Sequence, residues 1–158
     1  MSRTVAQALD DAAGGRGGFG FVGPDGHETI KPFKVMRDSA LDLGGALRSR
    51  GLVPGDYVAI VIPDAEGFLA AFLGVSAAGL VPMPLAHPHD VTQVEAYFDT
   101  AVPLFRLARA RAVVTTPRLL PLLASLPAAA PTIRFVAASP PLTGPALARA
   151  GQTDLEAP

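Results

Sequence analysis

The chain has no cysteine and no tryptophan, and its charges nearly cancel. Without cysteine there is no disulfide framework, no thiolate metal site and no thiol nucleophile, a composition that fits a reducing compartment. Thirteen Lys and Arg against fourteen Asp and Glu leave a formal charge of −1, so no overall field draws the chain to nucleic acid or to an anionic membrane. A long unbroken apolar run is also missing. The longest, residues 67–83, is marginal for the roughly 20 residues a bilayer requires; it carries several glycines and ends at Pro82 and Pro84, so it reads as a buried helix followed by a strand. The N-terminus, Met1-Ser2-Arg3-Thr4 and then an amphipathic stretch with Asp10 and Asp11, is unlike the apolar core of a secretory signal. The expectation is a cytoplasmic protein with no membrane span and no nucleic-acid partner.

What is present is core material. Across 158 residues, 49% are hydrophobic, ample for one globular domain. Thr4 is placed to cap a short helix whose Val5, Ala8, Leu9 and Ala12 share a face and which Gly14-Gly15 ends. Phe19 to Val22 and Glu28 to Ile30 flank Gly23-Pro24-Asp25-Gly26, turn chemistry for a β-hairpin. Pro32 at a first helical position starts a helix to Arg50 with Phe33, Met36, Ala40, Leu43 and Leu47 along its apolar stripe. Gly51 and Pro54-Gly55-Asp56 then reverse the chain into Tyr57 to Ile62, whose unbroken apolar character predicts a strand buried on both faces of a parallel sheet.

Asp64 caps the next predicted helix, along which Phe68, Phe72, Val75 and Gly79 recur at helical spacing, and Val81 to Leu85 forms the following strand. After the loop Ala86-His87-Pro88-His89-Asp90, the residues Val91, Val94, Phe98 and Phe105 indicate a helix toward Arg109. Pro103 requires either a kink there or the meeting of two short helices. Ala112 to Thr115 reads as a third parallel strand, Thr116-Pro117 as the start of a short helix over Leu119 to Leu126, and Ile133 to Ala137 as a fourth strand. The fold class is therefore α/β: a mostly parallel sheet of β-α-β units with flanking helices, preceded by a short helix and a hairpin. Residues 1–138 form that unit and 139–158 read as linker or peripheral structure.

Several motifs carry chemistry in spelling but not in context. Gly15-Arg16-Gly17-Gly18-Phe19-Gly20 spells a dinucleotide fingerprint, yet a helix precedes it and a strand follows, the reverse of what a pyrophosphate cradle needs. Ser76 within Gly74-Val75-Ser76-Ala77-Ala78-Gly79 lies in a helical pattern with its second glycine one place late for a nucleophile elbow. His87, His89 and Asp90 are too few to specify a metal site. Asp38 and Asp42 fall a helical turn apart on a charged surface stretch. Arg106, Arg109 and Arg111 form a small basic cluster, read as helix surface or as a contact with further protein. Tyr97 and Phe98 read as core. No catalytic, cofactor-binding or metal-binding residue is assigned.

One block is more specific. Gly51-Leu52-Val53-Pro54-Gly55-Asp56-Tyr57-Val58-Ala59-Ile60-Val61-Ile62-Pro63, running through Phe68-Leu69-Ala70-Ala71-Phe72-Leu73-Gly74 to Val81-Pro82-Met83-Pro84-Leu85-Ala86, resembles the opening of an adenylate-forming enzyme. Thr4-Val5-Ala6-Gln7-Ala8-Leu9, Gly26-His27-Glu28-Thr29-Ile30 and Arg111-Ala112-Val113-Val114-Thr115-Thr116 match in order and spacing. The Pro82 to Pro88 wording is most similar to fatty-acyl-AMP ligases. Lys31-Pro32 stands where the family often has Thr-Tyr, and Pro103 interrupts a usually smoother helix.

The resemblance implies an N-terminal subdomain of a larger enzyme. In such an enzyme, a fatty acid's carboxylate attacks the α-phosphorus of ATP with Mg²⁺ assistance, pyrophosphate leaves, and the acyl-adenylate passes to a carrier protein's phosphopantetheine thiol. The Ser/Thr/Gly-rich loop ending in Pro-Lys-Gly that holds ATP in the family does not occur before Pro158, nor does the lysine-bearing second domain. The chain by itself is thus expected to fold without activity and without a cofactor of its own, with the remainder of the enzyme and an acyl carrier protein as partners. Alternatives are the N-terminal part of an acyl-CoA ligase, a non-catalytic binding or assembly module, and a small nucleotide-binding α/β domain using its strand ends.

Overall fold

Thr4 opens the first helix by a reciprocal pair of bonds. Its hydroxyl accepts from the Gln7 N–H at 3.2 Å, and the Gln7 amide oxygen accepts from the Thr4 N–H at 2.9 Å, satisfying two groups a helix start otherwise leaves unbonded. The computed structural model describes residues 2–139; the expected linker from Pro140 onward lies outside them. Helix α1 spans Val5–Ala13. Strands β1 (Gly18–Val22) and β2 (Glu28–Pro32) form the antiparallel hairpin, with Gly26 at φ 80° in its turn. Phe19 and Phe21 point from the hairpin onto Leu9, Met36, Ala40, Ala70 and Leu73, and Lys31 Nζ lies 3.2 Å from Glu66 Oε1, tying the hairpin to the third helix.

Helix α2 (Phe33–Ser49) begins one residue later than expected. Pro32 is still extended, because it closes the β2 ladder opposite Gly18, so it caps the helix instead of forming its first turn. Next come β3 (Tyr57–Val61), α3 (Ala65–Ala77) and β4 (Val81–Pro84). A 3-10 turn at Val91–Gln93 leads into α4 (Val94–Ala108), followed by β5 (Ala112–Thr115), the short helices α5 (Leu120–Leu123) and α6 (Leu126–Ala129), and β6 (Phe135–Ala138). The four later strands are all parallel, in the order β4-β3-β5-β6.

The period-two geometry of β3 builds both halves of the core. Val58, Ile60 and Ile62 face α2 and α3 with Leu43, Leu47, Ala71 and Val75. Ala59 and Val61 face the other layer, where Phe105, Leu119, Leu123, Leu126 and Ile133 pack. A helix–sheet–helix sandwich results, and the unbroken apolar run of β3 is its cause.

Prolines account for three local features. Pro82 and Pro84 lie within β4, an edge strand. The Val81 and Leu85 N–H groups donate inward to Asp56 O and Ile60 O at 2.9 and 3.0 Å; by alternation the prolines occupy the positions whose N–H would face the open edge, where none is needed. Pro103 sits inside α4, which continues through it as one helix. Asp99 and Pro103 are both exposed, so water can satisfy the carbonyl that the proline leaves without a donor. The single helix expected over Leu119 to Leu126 is instead two. Pro127 lacks an N–H and its ring would meet the Leu123 carbonyl, so the chain breaks at Ala124-Ser125 and restarts. The fourth strand likewise starts at Phe135, since the Ile133 N–H is engaged in a turn with Ala130 O at 2.9 Å.

Helices α2, α3, α4 and α6 each end just before a parallel strand begins, so their C-termini collect at the amino edge of the sheet. Arginines from neighbouring elements serve their last carbonyls: Arg48 donates to Ala78 O at 3.1 Å, Arg134 to Gly51 O at 3.2 Å and Arg106 to Ala129 O at 2.7 Å. These are C-cap bonds made across elements.

Candidate functional site

Strand order locates the place where a ligand would meet this sheet. From β3 the chain moves outward to β4 by way of α3 on one face, then returns through α4 on the other face to place β5 on the far side of β3. By this reversal, the crevice position where open α/β sheets take ligands falls at the carboxyl ends of β3 and β5. It is bordered by Pro63-Asp64 after β3 and Thr115-Thr116-Pro117 after β5, with the Leu85 to Asp90 loop beside it.

Four polar side chains bordering this edge, those of Asp64, Asp90, Thr115 and Thr116, already have partners. Thr115, the buried polar side chain among the described residues, donates its hydroxyl to Val61 O at 2.8 Å and clamps β5 to β3. The Asp64 carboxylate accepts from the Gly67 N–H at 2.6 Å. Thr116 starts the turn toward α5 by accepting from Leu119 and Leu120. Asp90 accepts from the Thr92 N–H at 2.8 Å and the Thr92 hydroxyl at 2.5 Å; the hydroxyl, followed by the N–H, holds its carboxyl below the usual range. The starts of α3 and of the 3-10 turn are therefore both occupied by carboxylates. An incoming phosphate would meet like charge there instead of open N–H donors, so these residues do not fit the phosphates of ATP.

The motifs singled out in the sequence are dispersed by the fold. Gly15 to Gly17 lie in the link from α1 to β1, and Gly18 to Gly20 belong to β1 itself. Ser76 is inside α3, its hydroxyl bonded to Phe72 O at 2.7 Å. The His87 and His89 rings meet edge to face at 5.2 Å while Asp90 caps the next turn, and no three His, Asp or Glu side chains converge as a metal set among the described residues. Asp38 is paired with Lys34 and Arg37 at 2.8 Å each, which holds its carboxyl below the usual range; Asp42 lies on the exposed surface. Arg106 caps α6, Arg109 ends α4 at φ 52°, and Arg111 stands 3.8 Å from Asp56. Tyr97 and Phe98 pack on the α4 side of the core as expected.

Sequence reasoning considered the loops after β3 and β4 but missed the β3–β5 crevice, with Thr115 and Thr116. Its position follows from strand order, and no local signal encodes which side of β3 the third strand joins. A threonine closing an otherwise apolar strand was the one available hint.

Comparison with known proteins places this geometry. No family model matches the chain. A Caulobacter vibrioides protein named "Putative acyl-CoA synthetase" is 34% identical over 113 residues, 70% of this chain and 20% of that protein. A solved fatty acyl-adenylate ligase, from work on the E. coli and L. pneumophila enzymes, superposes with a TM-score of 0.76 at 28% identity over 87% of this chain and 25% of its own. The structure of McyG A-PCP complexed with phenylalanyl-adenylate gives a TM-score of 0.74 at 15% identity, covering 99% of this chain and 23% of that one; this likeness is one of fold. The chain spans a fifth to a quarter of the length of these relatives. By sequence and fold together, the chain belongs to the superfamily of acyl- and aminoacyl-adenylate-forming ligases, of whose architecture it covers a fragment.

Proposed function

We propose that the chain is the supporting framework of an enzyme that activates a fatty acid with ATP and Mg²⁺ as an acyl-adenylate and delivers the acyl group to a carrier protein's phosphopantetheine thiol. The fatty-acyl reading is carried by the 28% identity to a fatty acyl-adenylate ligase over 87% of the chain, together with the Pro82 to Pro88 segment. Within the whole enzyme this part's work is positional. Thr115 and the two-faced β3 hold the sheet's carboxyl edge, while donors for phosphate charge come from elsewhere in the polypeptide, because Asp64 and Asp90 already fill the helix starts here.

Transfer to coenzyme A is a second reading, favoured by the 34% identity to the Caulobacter protein. Pyrophosphate exchange with a panel of fatty acids tests the first step: exchange is expected from the whole enzyme and none from the 158-residue chain, and exchange by the chain alone would overturn the framework role. Supplying the whole enzyme with coenzyme A or with a phosphopantetheinylated carrier separates the two acceptors. Acyl transfer to coenzyme A but not to carrier would replace the first reading by the second.

A further inference from the structure

The amino edge of the sheet carries more positive charge than its helix ends require. Four segments meet there, residues 48–56, 78–81, 106–112 and 129–135, and between them they hold Arg48, Arg50, Arg106, Arg109, Arg111 and Arg134 against the single carboxylate of Asp56. The C-termini of the three long helices offset about half a charge each, roughly −1.5 in all. Six arginines less one aspartate and less that offset leave about +3.5 on one end of a chain whose net charge is −1. Capping thus explains where Arg48, Arg106 and Arg134 point but not how much charge is gathered.

The company these arginines keep indicates a protein partner. Val53, Tyr57 and Leu107 belong to the same end and are 56%, 42% and 85% exposed, and every cation in the four segments is arginine. Exposed arginine with tyrosine and no lysine matches what is enriched and depleted at protein–protein contacts, and Val53 and Leu107 add apolar area beside them. The capping bonds also pre-orient the guanidinium groups, each of which uses only part of its five-donor fork on a carbonyl. We propose that this arginine rim docks a separate protein that presents Asp and Glu around an apolar centre. The face lies at the opposite end of the strands from the β3–β5 crevice, so the contact leaves that edge open. The inference does not depend on which acyl acceptor the enzyme uses.

The test is fluorescence anisotropy with a labelled peptide of about 20 residues, glutamates flanking a Leu-Ile-Leu centre, at low ionic strength where rim charges act most strongly. Arg109→Glu with Arg134→Glu is expected to weaken binding about tenfold or more, and the charge-matched pair Arg16→Glu with Arg118→Glu by less than about twofold. Tyr57→Ala, which changes no charge but removes part of the apolar contact, is expected to cost about threefold or more. Should the first pair unfold the chain, Arg109→Gln alone still carries the expectation of measurable loss. Equal losses in both charge pairs, an unchanged Tyr57→Ala, or tighter binding of a thymidine oligonucleotide than of the peptide would overturn the proposal. So would binding by the 158-residue chain but not by the whole enzyme, which would assign the rim to the enzyme's own remaining domains.

Discussion

Gly44 and Gly45 are neighbours in α2, yet replacing each with alanine is expected to change stability in opposite directions. Both substitutions gain about 1 kcal/mol of helix propensity, since alanine loses less backbone entropy than glycine on entering a helix. A Cβ on Gly45 meets nothing within 4 Å, so the gain stands. A Cβ on Gly44 would lie 2.8 Å from the Gly74 carbonyl oxygen and 3.1 Å from the Ala78 Cβ. Neither is the far end of a flexible side chain; both belong to the α3 backbone or its immediate substituent, so only movement of the whole helix relieves the contact. Overpacking of this kind costs about 1–3 kcal/mol, and its rigid partners argue for the upper half of that range, leaving a net loss of about 1–2 kcal/mol.

The same crossing is tight from the other side. A Cβ on Gly74 would meet Leu43 Cδ2 at 2.9 Å and Ala40 O at 3.1 Å. Because either alanine forces the same separation of α2 from α3, the double variant is expected to lose less than the sum of the singles. Urea and thermal unfolding read the outcome: for a domain of this size 1 kcal/mol moves Tm by about 2–4 °C, upward for Gly45→Ala and downward for Gly44→Ala. Stabilisation by both would refute the claim that the helices cross at backbone contact.

Two further changes probe single groups. Arg109 ends α4 at φ 52°, a left-handed conformation that costs a side-chain-bearing residue about 1–2 kcal/mol; Arg109→Gly is expected to raise stability by about 0.5–1 kcal/mol, read as a higher urea midpoint. The Tyr97 hydroxyl is buried without a hydrogen-bond partner among the described residues, and burial pushes its pKa from 10.0 up to about 12. Since the folded state favours the protonated phenol, this contribution is whole below pH 10.0 and is lost as pH rises toward about 12. Tyr97→Phe is expected to stabilise by about 1 kcal/mol at neutral pH and to remove that alkaline loss; a destabilised Tyr97→Phe would mean the hydroxyl has a partner after all.

Legibility in the sequence followed the range of the interactions. Thr4, Asp64 and Gly26 act on residues within one turn of themselves, so caps and the hairpin could be read directly. The apolar run Val58 to Ile62 demanded cover on both faces wherever it lay, which made the parallel sheet readable as well. Errors arose where a distant or competing constraint decided. Pro32 could not enter α2 because β1 held it in register, and Pro127 overrode an apolar pattern that otherwise ran on through Leu126. The β3–β5 crevice was invisible because it depends on which edge of β3 received the third strand. The arginine caps were hidden for the same reason, since Arg134 reaches Gly51 across 83 residues.

The two ends of the sheet differ electrostatically, and the topology explains why. Parallel strands joined by helices force each connecting helix to run against the strands, so their N-termini gather at the carboxyl edge and their C-termini at the amino edge. Acids then favour the first and bases the second: Asp64, Glu66, Asp90 and Glu95 cap or enter first turns, while Arg48, Arg106 and Arg134 serve last carbonyls. On the crevice side this arrangement has a cost for function. A carboxylate that stabilises α3 also repels an incoming phosphate, so the cap that steadies this edge disfavours it as a phosphate grip. Replacing Asp64 would free the Gly67 N–H but forfeit about 1 kcal/mol of cap, and one freed donor is far short of the several that a triphosphate takes. On the proposed reading of the chain as framework, its own charges favour phosphate donors from outside the described residues.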